Sequence, residues 1–323
     1  MLFSLITKME QENEMKSEFH TVTGCVTHVL KFGEIPKLKS KSKFLFFVIP
    51  GNPGVIEYYE EFMRHLYHRG GNKIPVWGMS YAGHVSIGND GTGFTELVKQ
   101  PPEECTLLGQ IRHKLAFIEE CIPEDIKLIL IGHSIGCYMI LRLLKYLPKH
   151  QVLRCFLLFP TIERMALSPR GQIITPLLHY LRWVCVWFVK AVSYLSPQMQ
   201  YRIILRIFKG NTVPECALNA TMNLFDPACV NHITYLARDE MDMVTDLDQD
   251  LIRNNISKLS FYYGAEDHWC PKEYCYEMKR NFPHADIRLC DKNYAHAFVL
   301  NSSQEMSKIV WEWIQKDLHH KAD

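Results

Sequence analysis

The chain has 323 residues, 47% of them hydrophobic and 22% charged, with a formal net charge of +1. That length fits two small domains or one large α/β domain carrying an insertion, and the near-neutral balance, with no basic run beyond one short loop, excludes nucleic acid as a partner. The eleven cysteines are scattered, many singly in apolar segments (Cys121, Cys137, Cys155, Cys185, Cys290) and without C-x-x-C pairs, so they read as buried thiols in a reducing compartment, with no metal or cofactor implied.

At the N-terminus, Leu2 to Ile6 is apolar but too short for a signal segment, and Lys8, Glu10 and Glu12 follow at once, which argues against secretion. From His20 to Gly33, apolar residues punctuated by Gly24 and Gly33 predict one or two opening strands in a hairpin. Lys37 to Lys43 is a basic loop leading into Phe44 to Ile49, a continuous apolar run fit for a central strand. Pro50-Gly51-Asn52-Pro53-Gly54 turns the chain, and Val55 to Arg69 carries helical spacing. Ile74 to Ser80 predicts a further strand, Tyr81 to Gly93 a flexible loop, and Glu103 to Cys121 a helix.

Lys127 to Leu147 organises the rest: a buried apolar run, then Gly132-His133-Ser134-Ile135-Gly136, then helical spacing. Strand, sharp turn and helix make a nucleophile elbow, with Ser134 in strained backbone geometry and the two glycines relieving the close packing. Further strands are predicted at Val152 to Phe159, Leu259 to Gly264 and Ile287 to Cys290, and their alternation with helices implies a mostly parallel sheet. The interval Thr161 to Asn255 carries no convincing strand. Residues 1–160 and 256–323 are therefore expected to form the core, and 161–255 an inserted helical lid.

Within that interval, Ile173 to Leu195 is the most apolar stretch. Treated as one helix, it gathers Thr175, His179, Arg182, Lys190 and Ser193 into about a quarter of its circumference and leaves Trp183, Trp187, Phe188 and other apolar residues on the remainder. Met199 to Lys209 repeats the pattern, with Arg202, Arg206 and Lys209 on one side. Two such helices joined at Ser196-Pro197 predict a hairpin lying in a lipid interface; a core helix or a lid over the site is the bland alternative. Spanning is disfavoured, since each cation near the bilayer centre costs roughly 2.5–3.5 kcal/mol.

A serine hydroxyl needs a base, and the base an orienting acid. In an elbow-bearing sheet these follow in the order serine, acid, histidine, each after a strand at the carboxyl edge. Asp267 follows Leu259 to Gly264 and His296 follows the last strand, so Ser134 is the expected nucleophile, His296 the base and Asp267 the acid. Glu266 and Glu163 compete for the acid's place, and His133, His268 and His284 for the base's; His84 is expected to line the pocket. The oxyanion donors are expected at the N–H of Ile135 and at Asn52, with Gly54 as second choice because Pro53 has no N–H.

Ile-Pro-Gly-Asn-Pro-Gly from Ile49, the elbow from Gly132, Leu-Leu-Phe-Pro-Thr-Ile-Glu-Arg-Met from Leu157, Phe-Tyr-Tyr-Gly from Phe261 and Asp267-His268-Trp269-Cys270-Pro271 together resemble the lipid droplet-associated hydrolase family of the α/β-hydrolase superfamily. The resemblance runs from about Phe44 to the C-terminus. It implies an α/β-hydrolase fold, a triad matching Ser134, Asp267 and His296, and a serine hydrolase of neutral lipid esters, cholesteryl esters foremost. It also implies a location on lipid droplets and the cytosolic face of the endoplasmic reticulum, with the segment Ile173 to Lys209 as the droplet-targeting part. The rival expectations are a soluble esterase or thioesterase, and a droplet-organising protein with a vestigial site.

Overall fold

The computed structural model describes residues 15–35, 44–85, 102–208 and 213–319. The expectations for Leu2 to Ile6, the basic loop Lys37 to Lys43, the loop beyond Val85 and Lys209 lie outside those residues.

The opening segment folds as β1 (Met15–Val22) and β2 (Cys25–Phe32), a hairpin that starts five residues before the expected His20. Val22 pairs with Cys25, so the loop is two residues long, and Thr23 and Gly24 both take positive φ, 51° and 80°, as such a tight reversal between twisted strands demands. The remaining strands are β3 (Phe44–Ile49), β4 (Val76–Met79), β5 (Lys127–His133), β6 (Val152–Leu158), β7 (Leu259–Tyr263) and β8 (Asp286–Leu289). β4 is shorter than Ile74 to Ser80 because Pro75 has no ladder donor. The eight strands lie in the order β1-β2-β4-β3-β5-β6-β7-β8, antiparallel as far as β4 and parallel from there. The loops following β3, β5, β6, β7 and β8 therefore all emerge along one carboxyl edge.

The helices cover this sheet on both faces. Val55 to Arg69 forms a 3-10 turn, Ile56–Tyr59, running into α1 (Glu60–Arg69). The helix expected from Glu103 begins as α2 (Leu107–Cys121), because the Thr106 hydroxyl accepts from Gly109 N–H and caps it there. α3 (Ile135–Leu143) follows the elbow. Phe46 and Phe47, adjacent on β3, point to opposite faces. Phe47 stacks on Phe117 of α2 at 5.7 Å, while Phe46 meets Trp311 of the C-terminal helix Ser303–His319 at 6.5 Å, so those helices lie on opposite sides of the sheet.

Between β6 and β7 the described residues hold α4 (Pro169–Tyr180), α5 (Arg182–Ser193), α6 (Pro197–Ile207), α7 (Glu215–Asn223), α8 (Pro227–Met243) and α9 (Gln249–Asn255), and no strand. Proline occupies the first turn of α4, α6 and α8, where its missing N–H costs nothing. The single helix treated over Ile173 to Leu195 does not exist: the chain breaks at Leu181 (φ −122°, ψ 10°) and α4 and α5 meet at a 76° bend, one turn after Pro176. No single described helix is long and apolar enough to cross a membrane, although this bent pair together has the length and apolar composition of a broken span.

The break changes which side chains face outward. Arg182 turns toward α8 and donates to Asn231 Oδ1 at 2.6 Å, and His179 lies 3.0 Å from Asp242 Oδ1. Two of the five residues in the expected polar stripe are thus bonded to α8. Tyr180, Trp183, Trp187, Phe188 and Tyr194 are exposed, between 60 and 79%. Cys185 shares that outward face, and Cys121 and Cys216 are half-buried, so the expectation of buried thiols fails at those three positions; all eleven cysteines are free.

Candidate active site

Ser134 stands between β5 and α3 with φ 53° and ψ −123°, a backbone conformation that side chains other than hydrogen rarely adopt. Its surroundings explain why the sequence spends glycines here. A Cβ on Gly132 would lie 2.8 Å from Cys137 N, one on Gly136 would lie 2.6 Å from Pro50 O, and one on Gly51 would lie 2.9 Å from Ser134 Cβ. Ser134 N–H donates to Leu158 O at 3.0 Å, which ties the elbow to β6.

The structure brings three of the expected residues into line. Ser134 Oγ is 2.9 Å from His296 Nε2, and His296 Nδ1 is 2.6 Å from Asp267 Oδ2. A carboxylate can only accept, so Nδ1 carries the proton and Nε2 is left to receive the hydroxyl's. Asp267 sits at the start of the loop after β7, where its Oδ1 accepts from the N–H groups of Trp269 (2.7 Å) and Cys270 (3.3 Å). The Cys270 thiol adds a contact to Oδ2 at 3.0 Å. Burial alone would raise the Asp267 carboxyl, but the bond and charge of His296 and these N–H and S–H donors outweigh it and hold the group below its ordinary value.

The rivals are occupied elsewhere. Glu163 pairs with Arg164 at 2.7 Å, and Glu266 is exposed with Asn293 as its partner at 3.4 Å. His268 is exposed and His284 precedes β8, at the opposite edge. His84 does not behave as a pocket wall: it is buried, its Nδ1–H donates to Pro53 O at 2.6 Å, and burial pushes its pKa down to about 3. Tyr81 likewise is fully buried and its phenol donates to Pro50 O, so the start of the expected flexible loop is a brace for the Pro50 to Gly54 turn.

His133 has a role the sequence reading did not assign. Its Nε2–H donates to His296 O at 2.8 Å, which obliges Nδ1 to accept, and the Tyr59 hydroxyl donates to it at 2.5 Å. Tyr59 Oη in turn accepts from Gly51 N–H at 2.7 Å. Burial lowers the His133 pKa to about 3, so the ring is neutral, as this chain of bonds requires. One buried strut therefore joins the turn after β3 to the backbone of His296. Nothing local in Gly-His-Ser-Ile-Gly signals it, since its partners lie 74 and 163 residues away.

Two backbone N–H groups remain to be placed. Ile135 opens α3, where a helix has no upstream carbonyl to bond its first amides. In the turn after β3, Pro50 and Pro53 have no N–H, Gly51 donates to Tyr59, and Gly54 donates to Gly51 O at 2.7 Å. The second-choice donor, Gly54, is thus committed, and among the described residues Asn52 is the turn's amide with no acceptor. The Asn52 side chain reaches the other way, to Ile233 O and Glu240 Oε1 on α8. Thr161, just past β6 at the same edge, brings its hydroxyl within 3.4 Å of Ser134 Oγ; the strand rule that located Asp267 points equally to it.

Among the described residues Asp267, Cys270 and His296 form the one group whose ligand atoms, within 4.8 Å of one another, are close enough to share a cation. Burial pushes the Cys270 thiol well up, so it is a protonated donor to the carboxylate, and the three groups satisfy one another.

A family model described as lipid-droplet associated hydrolase matches residues 42–299. The lipid droplet-associated hydrolase of Gallus gallus is 41% identical over 317 residues, covering 96% of this chain and 98% of its own, and that of Homo sapiens is 40% identical over 322 residues, covering 97% and 98%. The Drosophila melanogaster protein of the same name is 33% identical, over 94% of this chain and 99% of its own. Among solved structures, a haloalkane dehalogenase loop variant from Bradyrhizobium elkanii superposes with a TM-score of 0.63 at 12% identity, over 95% of this chain and 99% of its own. An esterase from Exiguobacterium antarcticum superposes at 0.59 with 15% identity, over 93% and 100%. Identities this low speak for the α/β-hydrolase fold alone, whereas the family model and the relatives span nearly the whole chain, and the protein is a hydrolase that belongs to the lipid droplet-associated hydrolase family.

Proposed function

We propose that the protein is a serine carboxylic-ester hydrolase that cleaves neutral lipid esters, of the cholesteryl ester kind, at the surface of lipid droplets and the cytosolic face of the endoplasmic reticulum. The observation that carries this reading is the hydrogen-bonded line from Ser134 Oγ through His296 to Asp267 at the carboxyl edge of the sheet. Ser134 attacks the ester carbonyl while His296 Nε2 takes its proton; the N–H groups of Asn52 and Ile135 hold the oxygen that becomes negative. Collapse of the tetrahedral species expels the alcohol, which leaves with the proton from His296, and water then repeats the sequence on the acyl-Ser134 ester. Asp267 keeps Nδ1 protonated and stabilises the imidazolium. Dehalogenases and epoxide hydrolases on this fold need a carboxylate nucleophile, and the elbow here holds a serine.

The surface location is supported by α4 to α6, residues 173–207, within a lid spanning 161–255. Tyr180, Trp183, Trp187, Phe188, Met199 and Ile207 present apolar area to solvent, with Arg202 and Arg206 exposed beside them. Aromatic and basic side chains together suit a headgroup boundary. The relatives named lipid droplet-associated hydrolase support the same location.

The test is labelling with a fluorophosphonate probe, which should modify wild type but not Ser134→Ala, followed by a panel of sterol, glyceryl and short-chain esters on artificial droplets. An unlabelled, correctly folded wild type would leave a droplet-organising protein; activity on soluble esters without droplet binding would leave a soluble esterase.

A further inference from the structure

One acid in α8 touches the turn that offers Asn52. Glu240 is 3% exposed, and its Oε1 accepts from Asn52 Nδ2 at 3.0 Å. The same nitrogen donates to Ile233 O, two turns earlier on that helix, at 3.2 Å. Both hydrogens of the Asn52 amide are thus taken by α8, and the residue whose backbone N–H has no acceptor is gripped from the segment between β6 and β7. α8 is itself fixed at four further points: Asp239 Oδ2 accepts from Leu107 N–H at 2.6 Å, the His232 Nδ1–H donates to Gly83 O at 2.9 Å, and Asn231 and Asp242 meet Arg182 and His179 of the exposed hairpin.

We propose that Glu240 is a positioning residue for the oxyanion hole: it holds Asn52 so that the backbone N–H faces the attacked carbonyl, and it makes that alignment depend on where α8 sits. The proposal rests on the serine-hydrolase reading and adds to it a residue from outside the core that sets catalytic competence. Electrostatics agree with the geometry. Burial raises the Glu240 carboxyl to about 8, against the opposing effect of the Asn52 hydrogen bond, and the neighbouring Asp239 raises it further. Tyr81, which also interacts with it, is itself held protonated by burial. The basic groups on the packed elements have other partners: Arg182 bonds Asn231, His179 bonds Asp242, and Lys114, over the Tyr81 ring, bonds Gln110 Oε1 and Ser80 O. At neutral pH Glu240 is therefore an uncharged acceptor; ionised, it would set a negative charge beside the donor that must receive one.

The experiment uses the full-length protein, a water-soluble short-chain ester so that surface binding does not enter, and fluorophosphonate labelling in parallel. Glu240→Ala should lower kcat and the labelling rate by about 10- to 100-fold with KM little changed, a fraction of the 100- to 1000-fold that loss of an oxyanion donor costs. Glu240→Gln, which keeps an oxygen for Asn52 Nδ2, should restore most of that loss. It should also lack the decline in kcat expected of wild type as pH rises past about 8. Melting curves separate misfolding from misalignment, and Glu240→Gln carries the test if the alanine variant does not fold. Wild-type kcat in a folded Glu240→Ala, or the same alkaline decline in Glu240→Gln as in wild type, overturns the proposal while Ser134 still labels. A wild type that never labels at Ser134 overturns the hydrolase reading, and this one with it.

Discussion

Tyr59→Phe isolates the strut between the turn after β3 and His296. The substitution keeps the ring, which packs on His133 at 5.9 Å and Phe298 at 6.3 Å, so no cavity term arises. It removes the oxygen that accepts from Gly51 N–H and donates to His133 Nδ1. Two buried groups then lack partners; at about 1–3 kcal/mol for each, the variant should lose about 2–6 kcal/mol of stability. Urea unfolding checks this, with a lower midpoint and an unchanged slope. The neighbouring Tyr58→Phe serves as a control, since Tyr58 Oη meets only Thr221 Oγ1, at 2.8 Å, and that hydroxyl keeps its bond to Ala217 O. It should cost about 1 kcal/mol and leave kcat alone, whereas Tyr59→Phe should lower kcat because both the donor turn and the base lose their common tether. A Tyr59→Phe variant within about 0.5 kcal/mol of wild type would show that the strut contributes no more than a surface contact.

Gly136→Ala places a methyl 2.6 Å from Pro50 O, and backbone must move to admit it; a loss of about 1–3 kcal/mol or more is expected from the overlap, with kcat falling as the turn shifts, and unaltered melting and kinetics would contradict the account of the elbow. For Glu240 the folded-state pKa of about 8 lies above the ordinary 4.5, so folding retains a proton that the unfolded chain releases. Its favourable contribution is full below pH 4.5 and disappears as pH climbs to about 8. Relative to wild type, Glu240→Gln should therefore gain stability with rising pH at up to about 1.4 kcal/mol per unit across that window, roughly 5 kcal/mol in total; a flat difference in denaturation midpoints from pH 5 to 9 would place Glu240 in water. Trp183 and Trp187 are 60 and 62% exposed, so replacing both with Ser should leave the melting temperature within a degree or two yet remove about 4–6 kcal/mol of interfacial partitioning. Flotation with artificial droplets reads this, and undiminished flotation would move the docking surface elsewhere.

Much of this molecule is legible from neighbours in the chain. The alternation of apolar strands and helices, the elbow from Gly132 to Gly136, and the sequence of serine, acid and histidine after successive strands are local patterns joined by one rule of parallel sheets, that their loops emerge at a common edge. Those patterns suffice to name Ser134, Asp267 and His296 because each sits within a few residues of the strand that delivers it.

Only the folded chain decided the rest, because it depends on which hydrogen bonds actually form, and most of the partners are remote in sequence. Whether Asn52 or Gly54 keeps an N–H to offer depends on a hydrogen bond inside the turn and on Tyr59. The anchor of Asn52 lies 188 residues away, at Glu240, in a helix whose own periodicity says nothing about catalysis. His133 looks from its neighbours like a possible base, and the tertiary packing makes it a neutral tether instead. The break within residues 173–195 escapes local periodicity for a related reason. A helical wheel assumes one unbroken axis, and the bend at Leu181 turns Arg182 toward Asn231 while its apolar neighbours face outward.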